Sequence, residues 1–354
     1  MNIGGPLVVG VSFAYLGLLF ALAYWADRRA DQGRSVIAHP TIYALSLAVY
    51  CTAWTFYGSV GRAAASGFGF LPIYLGPTLA ILLWGSLMTK MLRISKAQRI
   101  TSIADFIASR YGKSHLLGGL VTLIAVVGVV PYIALQLKAI SRSFTILLNY
   151  PQVVMPDAGE TGSFWSDKAF VVALLLAAFT ILFGTRHLDA SERHEGMVAA
   201  IAFESIVKLI AFLAVGVFVT IGLFGGLGAG FGAPSVPDHA GALLDANVGA
   251  YQDWFAISLL AGLAVMVLPR QFQVTVVENS DERHLTRALW LFPLYLLAIN
   301  LFVLPVAFSG ALHFPDGSVN ADDYVLALPM AEQHPIITLI VYLGGMSAAT
   351  GMVI

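Results

Sequence analysis

The chain has 354 residues, of which 58% are hydrophobic and 11% charged, with a formal net charge of −1. A soluble domain carries about 25% charged residues, so a water-soluble globule is excluded, and the balanced charge offers no basic face for a nucleic-acid partner. The single cysteine, Cys51, rules out an internal disulfide and a cysteine-based metal site.

Apolar stretches long enough to cross a bilayer, for which about 20 residues suffice, recur along the sequence. Nine are predicted, at roughly 5–26, 40–60, 70–92, 115–146, 168–186, 196–226, 251–277, 287–311 and 334–354. The first has no basic leading region and no small-residue cleavage site, and reads as a retained helix rather than a signal peptide. The second, "YALSLAVYCTAWTFYGSVGRAAASGFGF", fills in its latter half with Thr52, Thr55, Tyr57, Gly58, Ser59 and Gly61, which predicts an interruption there. The fourth carries Lys138.

The sixth, "MVAAIAFESIVKLIAFLAVGVFVTIGLFGG", holds Glu204 and Lys208 four residues apart. That spacing places both on one helix face, where they can pair. A charge in mid-bilayer costs at least about 2.5 kcal/mol on insertion scales, so this face is expected to point at protein or water. The pair either fixes helix packing or lines an ion or proton path.

The seventh stretch contains Pro269, which cannot donate to the helix ladder, followed by Arg270, Gln271, Gln273 and Thr275. Interrupted membrane helices are tolerated where they border a cavity, and they expose carbonyls and half-helix ends to ions and solutes. The two predicted breaks fall in spans two and seven, five apart. A five-helix repeat inverted in the membrane gives that spacing. The ninth stretch ends at "GGMSAATGMVI" inside an apolar run, so a fragment of a longer protein is expected.

Basic residues alternate between loops. Arg28, Arg29 and Arg34 follow span one; Lys90, Arg93, Lys96, Arg99, Arg110 and Lys113 follow span three; Arg186 and Arg193 follow span five; Arg283 and Arg287 follow span seven. The segments 147–167, 227–250 and 312–333 contain no Lys or Arg, and 61–69 has Arg62 alone. Basic loops stay cytoplasmic, which predicts an external N-terminus. Three of the outer loops carry acid without base: Asp157, Glu160 and Asp167; Asp238 and Asp245; Asp316, Asp322 and Asp323. They read as ordinary solvated loops. The stretch "GGLGAGFGAP" (225–234) reads as a flexible connector, since no strand precedes it. His187 and His194 fall in a basic loop and read as solvated, and no HExxH, GxSxG or Walker pattern supplies a catalytic site.

Four stretches, "VPYIALQLKAISRSF" (130–144), "LPRQFQVTVVENSDERHL" (268–285), "ALWLFPLYL" (288–296) and "GGMSAAT" (344–350), resemble the sodium/solute symporter family, which has the leucine-transporter fold. The stretch "AVYCTAWTFYGSVGRAAASGFGFLPIYLGPTLAILL" (48–83) resembles the symporter-like module at the N-terminus of bacterial sensor histidine kinases. The resemblance implies an all-α, polytopic membrane helix bundle with a leucine-transporter-like inverted repeat, truncated in this chain. It implies one transmembrane domain over 1–354, with a first repeat at about 40–226 and the start of a second at about 251–354. It also implies a multi-pass protein of the bacterial inner membrane.

By the same resemblance, a sodium site would draw on the carbonyls of Ala48, Cys51 and Gly344 and the hydroxyl of Ser347. Ala348 stands where a second hydroxyl belongs, Tyr50 where a carboxylate is usual, and Thr350 lies one turn further on. The site is degenerate, which leaves Na+ or H+ as the coupling ion. Glu204 aligns with an acidic position and Lys208 with a polar one, which raises the ion-pathway reading of that pair. The solute pocket is expected from Trp54, Tyr57, Gly58, Gln136, Met266 and Gln271, with Tyr132 an aromatic wall or ordinary packing. Aromatic walls with a few amides suit a small polar solute. The expected function is a solute-binding or transport module that recognises an amino acid or short carboxylate and signals to a cytoplasmic kinase domain in the same chain. A plain secondary symporter is the alternative. Lipid is the other expected partner, and no cofactor besides the coupling ion is implied.

Overall fold

The computed structural model describes residues 3–156, 168–184, 194–223 and 248–353, and among them there is no strand. The acidic loop residues Asp157, Glu160, Asp167, Asp238 and Asp245, the basic residues Arg186 and Arg193, His187 and the glycine-rich 225–234 stretch lie outside the described residues.

Every predicted apolar stretch contributes a helix. α1 is Gly5–Asp31, α2 Pro40–Ser46, α3 Ser59–Ser66, α4 Pro72–Gln98, α5 Ile103–Arg110, α6 His115–Leu148 and α7 Lys168–Gly184. α8 is Glu195–Val217, α9 Val248–Val267, α10 Pro269–Phe272, α11 Arg283–Asn300, α12 Val303–His313, α13 Tyr324–Ala331 and α14 Pro335–Val353. Among the described residues, five helices are long and apolar enough to cross a membrane, and up to seven cross if each of two bent pairs counts as one span. The protein is a multi-pass membrane protein. Short connectors are capped by their own sequence: Ser102 accepts from the Asp105 amide at 3.1 Å and Ser114 from the Leu117 amide at 3.3 Å.

The first interruption is placed more sharply than the sequence suggested. α2 tightens into a 3₁₀ turn over Leu47–Tyr50, and Cys51 leaves the helix in an extended conformation. The chain resumes as a π turn, Trp54–Gly58, that runs into α3. So the break lies at Cys51 and Thr52, and the polar run beyond it is helical. The second break is the one that Pro269 dictates. Leu268 takes ψ 131°, as a residue before proline must, and the halves are bent by 52°.

α8 lies inside the bundle, packed against α1, α2 and α14. α4 and α9 run so close that a Cβ on Gly76 would lie 2.1 Å from the Ser258 carbonyl oxygen. Small residues permit such backbone approach in membranes.

One end of the bundle is tied by acid–base contacts. Arg93 makes two 2.9 Å bonds to Glu282, and Lys96 donates to Asn279 at 3.1 Å. Glu278 accepts from the His194 amide at 3.0 Å and lies 2.7 Å from the His194 ring. Gly196 donates to Asp27 at 2.6 Å, and Ser35 to Glu195 at 2.5 Å. The segments with Arg34, Lys96, His194 and Arg283 therefore share one end, as the charge alternation requires. His194 corrects its sequence reading: it is engaged with a buried carboxylate, not solvated. At the other end Asp323 is 6% exposed and sits 2.5 Å from Arg142 of α6. That overturns the reading of Asp323 as an ordinary loop acid.

Candidate functional site

The two broken helices meet at their interruptions. Gln271, fully buried just after the second break, donates its amide to the Leu47 carbonyl of the first at 3.2 Å. Tyr43 donates to the Thr275 carbonyl at 2.7 Å. From α6, Gln136 accepts from the Ala53 amide at 3.0 Å, and the Tyr132 hydroxyl lies 2.8 Å from that of Thr52. Arg270 stands over the Tyr132 ring, its guanidinium carbon 5.0 Å from the centroid. Thus α2, α6 and α10 converge on residues 47–53.

Extending the backbone at Cys51 takes its own carbonyl off the helix ladder, while the Ala48 carbonyl keeps the Cys51 amide at 3.0 Å and has a lone pair to spare, and buried carbonyls need donors. Lys208 supplies one. Its ammonium donates to Ala48 O at 2.8 Å and Cys51 O at 2.6 Å, and the residue is 1% exposed.

Glu204, one turn earlier on α8, does not pair with it. No oxygen of Glu204 lies within 4.0 Å of the Lys208 ammonium among the described residues. Its carboxylate turns to α14, where the Thr350 hydroxyl donates to it in a short hydrogen bond, and Ser347 donates to the Glu204 backbone carbonyl at 2.8 Å. The expected i,i+4 ion pair is replaced by two separate cross-helix links, because each group finds a partner at shorter reach. Of the other charges considered within spans, Lys138 is exposed on α6.

The sequence-predicted pocket residues divide. Gln136 and Gln271 do flank the breaks, but they spend amide groups on the backbone there. Trp54 faces α4, 6.4 Å from the Tyr74 ring centroid, and its indole covers Gly58, where a Cβ would meet it at 2.9 Å. Tyr57 points the opposite way, into α14, where its hydroxyl occupies the space a Gly345 side chain would need. Met266 is buried in the apolar core. Arg270, which the sequence places at the break but which was not assigned to the pocket, stands over the Tyr132 ring at the junction. The missed signal was its position directly after the breaking proline.

The groups named for a sodium site already have partners, two of them a cation. Ala48 and Cys51 give their carbonyls to the ammonium of Lys208, Ser347 gives its hydroxyl to Glu204, and Ala348 offers a buried methyl group. Gly344 lies against Phe56 and Ala211, with no room for a Cβ. Tyr50 donates to the Ile73 carbonyl at 2.9 Å. Thr350 is committed to the Glu204 carboxylate. No cluster of three His, Cys, Asp or Glu residues able to hold a metal occurs among the described residues.

This architecture, two interrupted helices crossing at a buried polar junction, is that of the leucine-transporter fold. Residues 32–155 match the sodium:solute symporter family. The chain is 26% identical over 288 residues to the uncharacterized symporter YhjB of Bacillus subtilis (strain 168), covering 81% of this chain and 54% of that protein. It therefore spans about half the length of that curated relative. Its fold matches the substrate-bound outward-open state of a Na+-coupled sialic acid symporter with a TM-score of 0.67 at 13% identity, covering 98% of this chain and 71% of that one.

Proposed function

We propose that this chain is the solute-binding and transport module of a symporter-like protein of the bacterial inner membrane, and that its solute is a small molecule bearing a carboxylate, an amino acid or a short acid. One observation carries the solute class. Arg270 stands at the junction of the two broken helices with a buried guanidinium nitrogen that has no hydrogen-bond partner, and no carboxylate pairs with it among the described residues. A guanidinium nitrogen shut from water without an acceptor is costly, and a bidentate carboxylate is the best partner for such a group. The Tyr132 ring and the Thr52 hydroxyl beside it supply a wall and a polar contact.

The test uses the full-length protein and a titration of amino acids and short monocarboxylates against their amides and methyl esters. The acids should bind and the neutral analogues should not. Arg270→Gln should weaken acid binding by roughly 10- to 150-fold, the worth of a charged hydrogen bond, and Arg270→Lys by less. Equal binding of acid and ester would sink the proposal.

In this reading the full protein also passes solute occupancy to a cytoplasmic histidine kinase, supported by the resemblance of residues 48–83 to the symporter-like module of sensor kinases. A plain symporter is the second reading, favoured by the similarity to YhjB over 81% of the chain. Adding the bound acid to the full-length protein with ATP separates them: a change in autophosphorylation is required by the first and absent in the second.

A further inference from the structure

The family match implies sodium, yet the carbonyls at the first break already hold a cation. We propose that the ammonium of Lys208 is the resident cation of this oxygen site, so that sodium is excluded while Lys208 is present and admitted when its side chain is shortened. The inference concerns the ion rather than the solute, and its test requires no transport.

Two observations and two physical rules carry it. The backbone leaves the helix at Cys51, and its carbonyl and that of Ala48, which also accepts from the Cys51 amide, converge on one point in the bundle interior. Unwound carbonyls of this kind coordinate monovalent cations in membrane helices. The point is taken by a single positive charge at 2.8 and 2.6 Å, held by a side chain that is 1% exposed. A second monovalent cation could not share these oxygens, because like charges a few ångströms apart in a buried site repel strongly.

The surroundings are those of a cation site rather than of a lysine tolerated by chance. Glu204, on the same face of α8, brings a negative charge near without contacting the ammonium, and one of its carboxylate oxygens, Oε2, has no hydrogen-bond partner. The Ser347 hydroxyl lies alongside, on the Glu204 carbonyl. Removing the lysine stem would leave Ala48 O, Cys51 O and space for water, with the Glu204 carboxylate balancing the charge from across the α8–α14 interface. Hard cations take such oxygen sets.

The experiment uses the full-length protein purified in choline chloride. Sodium-22 binding is counted per chain, and thermal midpoints are compared in sodium and in choline, for wild type, Lys208→Ala and Lys208→Arg. Lys208→Ala should bind one more sodium per chain than wild type. Its midpoint should rise by about 3 °C or more in sodium relative to the wild-type change, as binding to the native state requires. Lys208→Arg keeps a charge in the site and should bind no additional sodium.

A Lys208→Ala protein that folds in choline and binds no additional sodium overturns the proposal. So does one that binds fewer, since Lys208 would then be supporting a sodium site instead of filling it. If Lys208→Ala folds only in sodium, the ion replaces the ammonium and the proposal stands. If it folds in neither salt, Lys208→Gln carries the same comparison, and failure of both in sodium overturns the proposal, because sodium then cannot take the ammonium's place.

Discussion

The phenol of Tyr43 donates to the backbone carbonyl of Thr275 at 2.7 Å, joining the first broken helix to the turn that follows the second. Both residues are buried. Tyr43→Phe deletes only the donor and strands the carbonyl, at a cost of about 1–3 kcal/mol. Thermal unfolding in detergent should show a lower midpoint for this variant, and an unchanged midpoint would mean that the two breaks are held together by packing alone.

Thr350 donates to Glu204 across the α8–α14 interface. Thr350→Val keeps the shape and removes the donor, leaving a buried carboxylate short of a partner. The expected loss is about 1.5–3 kcal/mol, the scale for bonds to charged groups. Thr350→Ser retains the hydroxyl and should lose less. Equal stability of Val and Ser at this position, by denaturant or thermal unfolding, would remove the bond from the account.

Gly76 meets the α9 backbone directly, whereas a Cβ on Gly17 would touch nothing within 4 Å. Gly76→Ala should push α4 and α9 apart at an overpacking cost of about 1–3 kcal/mol. Gly17→Ala should be neutral or mildly stabilising, as glycine-to-alanine changes in open helix positions are. Thermal midpoints of the two variants check the contrast, and a harmless Gly76→Ala would contradict the close approach.

The alternation of basic loops predicts 94–114 and 278–286 inside and 312–333 outside. On a Cys51→Ser background, Gln98→Cys should resist an impermeant thiol reagent in intact cells, and Ser318→Cys should react. Both positions are exposed. Labelling of Gln98→Cys from outside would reverse the orientation.

Burial pushes the Asp323 carboxyl up to about 6 from its ordinary 3.8, against the pull of Arg142, with Asp322 adding to the rise. The folded value exceeds the unfolded one, so the contribution of this group to stability is greatest below 3.8 and declines as pH rises through about 6. Asp323→Asn should flatten that part of the stability–pH curve. Thermal midpoints across the window decide the matter, and an unaltered slope in the variant would mean that Asp323 titrates alike in both states.

Much of the bundle could be read from apolar run length, because lipid forces the backbone to satisfy itself within helices. The break at Pro269 was legible for the same reason: proline announces itself. The break at Cys51 was less so, since no residue type there forbids a helix, and the polar run that follows drew attention too far along the chain. For Glu204 and Lys208 the spacing disclosed a shared face but not the partners. Lys208 bonds to backbone carbonyls, which carry no sequence signature, and Glu204 to a threonine 146 residues away. The pairing of Arg142 with Asp323 is hidden for the converse reason: each looks ordinary alone, Asp323 as one more loop acid, and only the packing of α6 against the 321–323 turn makes them a pair.

A cation carried on four methylenes cannot be diluted away. Its local concentration is set by the length of its stem and not by the medium. The carbonyls of Ala48 and Cys51 therefore keep their partner in fresh water and in brine alike, and the kink they flank holds its shape without drawing on any salt the cell must supply.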